Sequence, residues 1–286
     1  MLRARIVLTF SATALAAGCG SGETGSTETE TVVAAFYPVA YAVERIAPQV
    51  EVENLTPAGA EPHDLELSPR EVERIREADS VLYFGQGFMP ALEAAVEGVG
   101  GAVDLLAGEP LRSRTDGHDP DLDPHVWLDP RRYAGIVRRI AGALGAPTAA
   151  DELVGELEQL DGEFRRGLAR CERRELVTSH AAFGYLADAY DLQQVPLTGL
   201  TPEAEPSARA LERLVSDVKA SNATTVFFEP LVSPKLAETV AREAAVKTEA
   251  LNPLEGLTED ELDAGADYLS VMQENLSVLR EALGCT

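Results

Sequence analysis

The strongest constraint in this sequence is an alternation. Short apolar runs of strand length take turns with helical patterns, first before and then after one long amphipathic stretch. Val32 to Phe36 reads as a strand, Val39 to Ile46 as a helix, and Val50 to Leu55 as a strand. Pro69 to Ala78 reads as a helix, with Ser68 as its N-cap and Pro69 in its first turn. Ser80 to Phe84 is the next strand and Pro90 to Val96 the next helix. Past the long stretch, Glu175 to Ser179, Thr225 to Phe228 and Lys247 to Leu251 read as strands. Ser207 to Ser221 and Ser233 to Ala244 read as helices, and Thr258 to Leu283 as largely helical. Alternation of this kind builds mostly parallel sheets covered by helices.

The dividing stretch runs from Thr148 to Cys171. Leu153, Leu157, Leu160, Phe164 and Leu168 step along it by four, three, four and four, marking one apolar helical face opposite Glu, Asp, Gln and Arg. It reads as a single helix of more than twenty residues, the longest in the chain. The expected fold is therefore α/β, with two lobes joined by one long helix, each lobe a mostly parallel sheet covered by helices. The expected boundaries are 32–146 for the first lobe, 147–172 for the joining helix and 173–286 for the second lobe.

Ahead of the first lobe, Arg3 and Arg5 precede an apolar run from Ile6 to Ala17 and then Gly18-Cys19. A charged start, a short apolar core and small residues read as a signal peptide over residues 1–18. Leu15-Ala16-Ala17-Gly18-Cys19 resembles a bacterial lipobox, with Ala16 where a larger aliphatic is usual, so Cys19 is expected to carry lipid. Residues 19–31 should form a flexible tether, because Gly20 to Thr31 has no aliphatic side chain to offset the entropy of ordering. These features place the folded part outside the cytoplasm, anchored to the outer face of the membrane or periplasmic.

With 286 residues, 45% of them hydrophobic, the chain can bury a full core. Its formal charge of -24 becomes -26 once Arg3 and Arg5 are gone, which argues against nucleic acid and anionic headgroups as partners. With Cys19 lipidated, Cys171 and Cys285 remain as a pair expected to bridge in an oxidising compartment.

Three of the four histidines sit in punctuated loops after apolar sequence. Their surroundings are Ala60-Glu61-Pro62-His63-Asp64-Leu65, Asp123-Pro124-His125-Val126-Trp127-Leu128-Asp129-Pro130 and Thr178-Ser179-His180-Ala181-Ala182-Phe183-Gly184-Tyr185. Each alone has an ordinary explanation as a cap, a packed ring or a hydrogen-bonded core residue. Together they suggest a metal site assembled from several loops, since three imidazoles and a carboxylate can close a tetrahedron around zinc. His118, among aspartates in the polar loop between Glu109 and Pro124, reads as a weak collector of metal rather than a ligand of the main site.

From about Val32 to Leu283, these segments resemble, in order and spacing, the three ligand motifs of the zinc and manganese solute-binding lipoproteins of ABC importers. The resemblance implies one metal held between two lobes, with His63 and His125 from the first lobe and His180 from the second. It implies delivery of zinc to an ABC permease with its cytoplasmic ATPase, by a monomer, rather than catalysis. Where many relatives carry an aspartate this chain has Asn252, a poor zinc ligand; a branch with Asn-Pro-Leu-Glu implies Glu255 instead. Glu61 is the next candidate and a water the third.

Three imidazoles and a carboxylate favour zinc over manganese, which prefers oxygen-rich sites. Because imidazole ligands must be unprotonated, binding should weaken as pH falls through about 6.5. The alternatives are a manganese carrier or a surface adhesin of the same family, and a zinc hydrolase. The hydrolase is disfavoured by the lack of a His-Glu-x-x-His or Gly-x-Ser-x-Gly pattern.

Overall fold

The computed structural model describes residues 30–114, 121–202 and 207–286. The expected leader, Cys19 with its lipid, nearly all of the tether, and His118 lie outside the described residues. Among the described residues no helix is long and apolar enough to cross a membrane.

The first sheet is built from β1 (Thr31–Ala34), β2 (Glu51–Asn54), β3 (Ser80–Tyr83) and β4 (Ala102–Asp104), all parallel, in the order β2-β1-β3-β4. Helices α1 (Tyr37–Ile46), α2 (Pro69–Glu77) and α3 (Pro90–Ala95) connect them. Ser68 caps α2 as expected: its hydroxyl accepts from Glu71 N, while the Glu71 carboxylate accepts from Ser68 N. A short antiparallel pair, β5 (Ser113–Arg114) with β6 (Asp121–Leu122), leads into α4 (Pro130–Ala143) and α5 (Asp151–Gly167).

The second sheet holds β7 (Glu175–Thr178), β8 (Gln193–Pro196), β9 (Thr225–Phe228) and β10 (Lys247–Ala250), again all parallel, in the order β10-β9-β7-β8. It carries α6 (Gly184–Ala189), α7 (Ala208–Ala220) and α8 (Lys235–Ala244); α9 (Glu259–Asp263) and α10 (Tyr268–Leu283) close the chain. In the first lobe the sheet runs second, first, third, fourth; in the second lobe it runs fourth, third, first, second. In both, the first and third strands are central neighbours, and ligands in such sheets collect outside the carboxyl ends of the strands. In the second lobe those two strands are β7, which runs into His180, and β9, which runs into Glu229.

Six elements escape the sequence patterns: β4, β5, β6, α4, α6 and β8, with β5 and β6 pairing inside the stretch read as a polar loop. The joining helix is also shorter than expected. α5 has 17 residues, because the chain enters it only after Ala150 and leaves helical geometry at Leu168. Leu168 stays buried all the same, so the apolar stripe outlasts the helix. Leu153, Val154, Leu157, Leu160 and Phe164 form the buried face of α5, which packs on α4, α1 and α10. Each such buried side chain contributes about 1.5–3 kcal/mol. α5 is thus one layer of a core that reaches from Val33 and Leu82 in the first sheet to Leu176 and Phe227 in the second. A smaller core of Val177, Val218, Val226 and Val240 lies under α7 and α8.

Cys171 and Cys285 form a disulfide across 114 residues of sequence. Arg173 N donates to Leu283 O at 3.1 Å and Thr286 N to Arg170 O at 2.9 Å, fastening the end of α10 to the segment that follows α5.

Candidate metal centre

Four loops deliver four side chains. His63 lies in a single 3-10 turn, Pro62–Asp64, capped by Glu61, whose Oε1 accepts from His63 N at 3.2 Å. His125 opens the turn Val126–Leu128, and His180 follows β7 closely, ahead of the turn Ala181–Phe183. Glu255 sits in the loop between β10 and α9, where Leu254 has φ 57, a left-handed conformation that costs a side-chain-bearing residue about 1–2 kcal/mol. Asn252 holds that conformation. Its Oδ1 accepts from Leu254 N at 2.7 Å, its Nδ2 donates to Glu261 Oε1 at 3.0 Å, and its backbone exchanges two hydrogen bonds with the Asn275 amide.

The same loop is pressed against the first lobe. Gly59 N donates to Leu257 O at 2.9 Å. A Cβ on Gly256 would lie 3.3 Å from the Ala60 carbonyl oxygen and 3.2 Å from Leu231 Cδ1, so glycine permits the close approach that places Glu255.

Glu255 Oε1 is 3.0 Å from His125 Nε2, 3.2 Å from His180 Nε2 and 3.3 Å from His63 Nε2, and the two buried imidazoles are 3.4 Å apart at Nε2. One donor atom from each residue lies within 4.8 Å of all the others. With bonds of about 2.0–2.1 Å, a tetrahedral zinc site has edges of about 3.3 Å. Four of the six edges of this quartet are already close to that length. His125, His180 and Glu255 are buried, and His63 is nearly so.

Carboxylates behind the cluster fix two of the rings. Asp123 Oδ1 pairs with His125 Nδ1 at 2.8 Å and accepts from His125 N at 3.0 Å; Glu229 Oε2 pairs with His180 Nδ1 at 2.7 Å while its Oε1 accepts from His180 N at 3.1 Å. Each pair sets the tautomer that leaves Nε2 facing the cluster. Burial by itself pushes both histidines down, but Asp123 and Glu255 outweigh it at His125, and Glu229 and Glu255 hold His180 well above the usual imidazole range. Burial lowers His63. Burial likewise pushes the Glu255 carboxyl up, yet charge on His180 and hydrogen bonds from the three imidazoles hold it well below the ordinary range. Glu61 goes the other way, raised to about 9 by burial and by the nearby Glu255 charge.

Glu255 Oε2, on the ionised carboxylate, is buried without a hydrogen-bond partner, an arrangement that costs free energy unless a cation is near; Glu61 Oε2 is unpartnered too, on a carboxyl that burial keeps neutral. His63, His125, His180 and Glu255 are thus brought together, with Glu61 beside them. Asn252 is not: its amide is spent on shaping the loop, which corrects its candidacy as a ligand. Asp123 and Glu229 are the residues that sequence reasoning passes over. Asp123 had a usable signal in its place two residues before His125; Glu229 had none beyond ending an apolar strand.

The family model described as zinc-uptake complex component A, periplasmic, matches residues 32–282. The zinc-binding lipoprotein AdcA of Streptococcus pneumoniae is 37% identical over 275 residues, covering 87% of this chain and 55% of that protein. This chain therefore spans about half the length of that relative. The high-affinity zinc uptake system protein ZnuA of Bacillus subtilis is 34% identical over 300 residues, covering 94% of each chain. Among solved structures, the Zn(II)-bound ZnuA-like domain of the pneumococcal AdcA superposes with a TM-score of 0.77 at 34% identity, covering 89% of this chain and 99% of that one. The laminin-binding protein Lmb of Streptococcus agalactiae, described as having adhesin and metal transporting activity, gives 0.80 at 28% identity, covering 89% and 99%.

Proposed function

The chain belongs to the family of periplasmic zinc-uptake complex component A proteins, and from that membership we propose that it captures zinc outside the cytoplasm and hands it to an ABC-type permease. His63, His125, His180 and Glu255 are the proposed ligands. The observation that carries this reading is the near-tetrahedral spacing of their donor atoms around a buried carboxylate. Three imidazole nitrogens and one carboxylate oxygen suit zinc better than manganese or calcium, which ask for more oxygen ligands.

The proposed capture begins at His63, the only one of the four not fully buried. Zinc then takes the protons' place on His125 and His180, and its charge is met by Glu255. Asp123 and Glu229 keep the two rings aimed while the exchange occurs. Four protein ligands leave no open position for a reactive water, so the chain is proposed to act as a carrier and not as a hydrolase. Lipid on Cys19 would keep it at the membrane, beside the permease.

Protein purified without chelators and titrated with zinc should bind one equivalent at this centre, and alanine at His63, His125, His180 or Glu255 should abolish tight binding. Tight, stoichiometric binding that survives all four substitutions would sink the assignment. Surface adhesion is a second reading, favoured by the likeness to Lmb. Saturable binding to laminin that is indifferent to those four substitutions would support it.

A further inference from the structure

Outside the four donors, a separate set of contacts laces together the loops that carry His125 and His180. The Tyr185 hydroxyl, near the start of α6 and five residues after His180, donates to Asp123 O at 2.8 Å and accepts from Arg112 N at 2.8 Å. Asp123 is the residue that orients His125, and its own N donates to Arg112 O at 2.9 Å. The Arg112 guanidinium donates to Gly184 O and pairs with Asp188 Oδ2 at 2.6 Å. A Cβ on Gly184 would meet Arg112 Cζ and Asp123 Oδ2 at 3.0 Å, so the strap closes over a glycine. Tyr185 is buried, and the Arg132 guanidinium lies 4.7 Å from its ring centre.

Building on the zinc-capture reading, we propose that Tyr185 is a positioning residue for the metal. Its hydroxyl fixes the separation of His125 from His180, and so favours a small tetrahedral ion and slows its release. The physical basis is the 3.4 Å between the two Nε2 atoms, which matches one tetrahedral edge only while the two loops keep their distance. These loops come from different lobes, and Tyr185 supplies a direct hydrogen bond between the His180 side and the Asp123–His125 side. Phenylalanine would keep the ring in place yet strip the partner from two backbone groups. Relaxation of those groups moves the Asp123 turn, and with it His125. A drift of about half an ångström is enough to spoil such a constellation.

Cobalt(II) is the probe, because its visible absorption distinguishes four-coordinate from five- and six-coordinate sites. Wild type, Tyr185→Phe and Tyr190→Phe are each titrated with it, and zinc release is timed by chelator chase. Tyr190 directly follows the same helix, and its hydroxyl donates to Asp161 Oδ1 at 3.2 Å, so its variant controls for loss of a phenol alone. Wild type and Tyr190→Phe should show strong tetrahedral bands. Tyr185→Phe should show weaker bands of higher coordination and release zinc about tenfold faster, the scale of one lost buried hydrogen bond. If Tyr185→Phe does not fold, Arg112→Ala cuts the strap from its more exposed side and should speed release about threefold. Bands and release rates equal to wild type in the folded variants overturn this inference alone. Absence of tetrahedral bands in wild type overturns the zinc reading and this inference with it.

Discussion

Trp127 Nε1 donates to Pro253 O at 2.8 Å across 126 residues of sequence. Trp127 lies two residues after His125 and Pro253 two before Glu255, so one hydrogen bond sets the relative position of a proposed ligand from each lobe. The indole is fully buried among Phe36, Phe84 and Phe88, and the Tyr268 hydroxyl donates to the Trp127 backbone carbonyl at 2.6 Å. The loop bearing Glu255 is therefore held from the first lobe as well as from its own.

Trp127→Phe should cost about 2–4 kcal/mol of stability, from the void and the unpaired Pro253 carbonyl. It should also weaken zinc binding although it removes no ligand. Urea denaturation and zinc calorimetry check this. A variant with wild-type affinity would mean that the indole packs the core without placing Glu255.

Asp123→Asn and Glu229→Gln each keep a side chain that can face the histidine, but remove the charge that orients and supports it. Zinc affinity should fall by about 10- to 100-fold in each. Chelator competition measures the loss, and affinities unchanged from wild type would strip both carboxylates of their assigned role.

The pH dependence has two parts of opposite sign. His125 and His180 are raised in the folded protein, so without metal they contribute stability that is fully present below about pH 6.5 and lost as pH rises through their folded values. Glu255 is depressed, so its contribution is present above the ordinary 4.5 and lost only as pH falls through its lowered value. Zinc must displace the histidine protons, so its affinity falls as pH drops through those raised values. The weakening thus begins above the 6.5 expected for ordinary imidazole. The gain in melting temperature on adding zinc should therefore keep growing as pH rises past about 6.5. A gain that is flat or shrinks above that pH contradicts the raised proton affinity of His125 and His180.

Replacing both Cys171 and Cys285 by serine should lower stability by about 2–4 kcal/mol, because the bridge closes a long loop in the unfolded chain. Zinc affinity should stay within about twofold, since neither cysteine is among the donors, the carboxylates behind them or the Asn252 scaffold. Thermal melts with and without reductant, paired with zinc titration, separate the two effects.

Much of this centre is legible in the amino-acid sequence because His63, His125 and His180 each announce a loop with Pro, Asp or Ser beside them. Glu255 is suggested only by the resemblance of its Asn-Pro-Leu-Glu stretch to one branch of the family, with Glu61 and a water left as alternatives. Glu229 is not legible in that way. It lies 49 residues from His180, and only the adjacency of β7 and β9 brings the two together. α4 is hidden for a different reason. Asp129-Pro130 serves both as loop punctuation and as a helix start, with Asp129 Oδ1 accepting from Arg131 N, while Tyr133, Ile136, Val137 and Ile140 keep helical spacing. β8 gives almost no pattern, since Gln193-Gln194-Val195-Pro196 is an edge strand with a proline that needs no ladder partner on its outer side.

The most direct test is the X-ray absorption fine structure at the zinc edge of protein loaded with one equivalent of the metal. The account predicts three imidazole nitrogens and one oxygen bound at about 2.0 Å, with one imidazole fewer in His180→Ala. A six-coordinate, oxygen-dominated environment, or a wild-type spectrum left unchanged by His180→Ala, would contradict it.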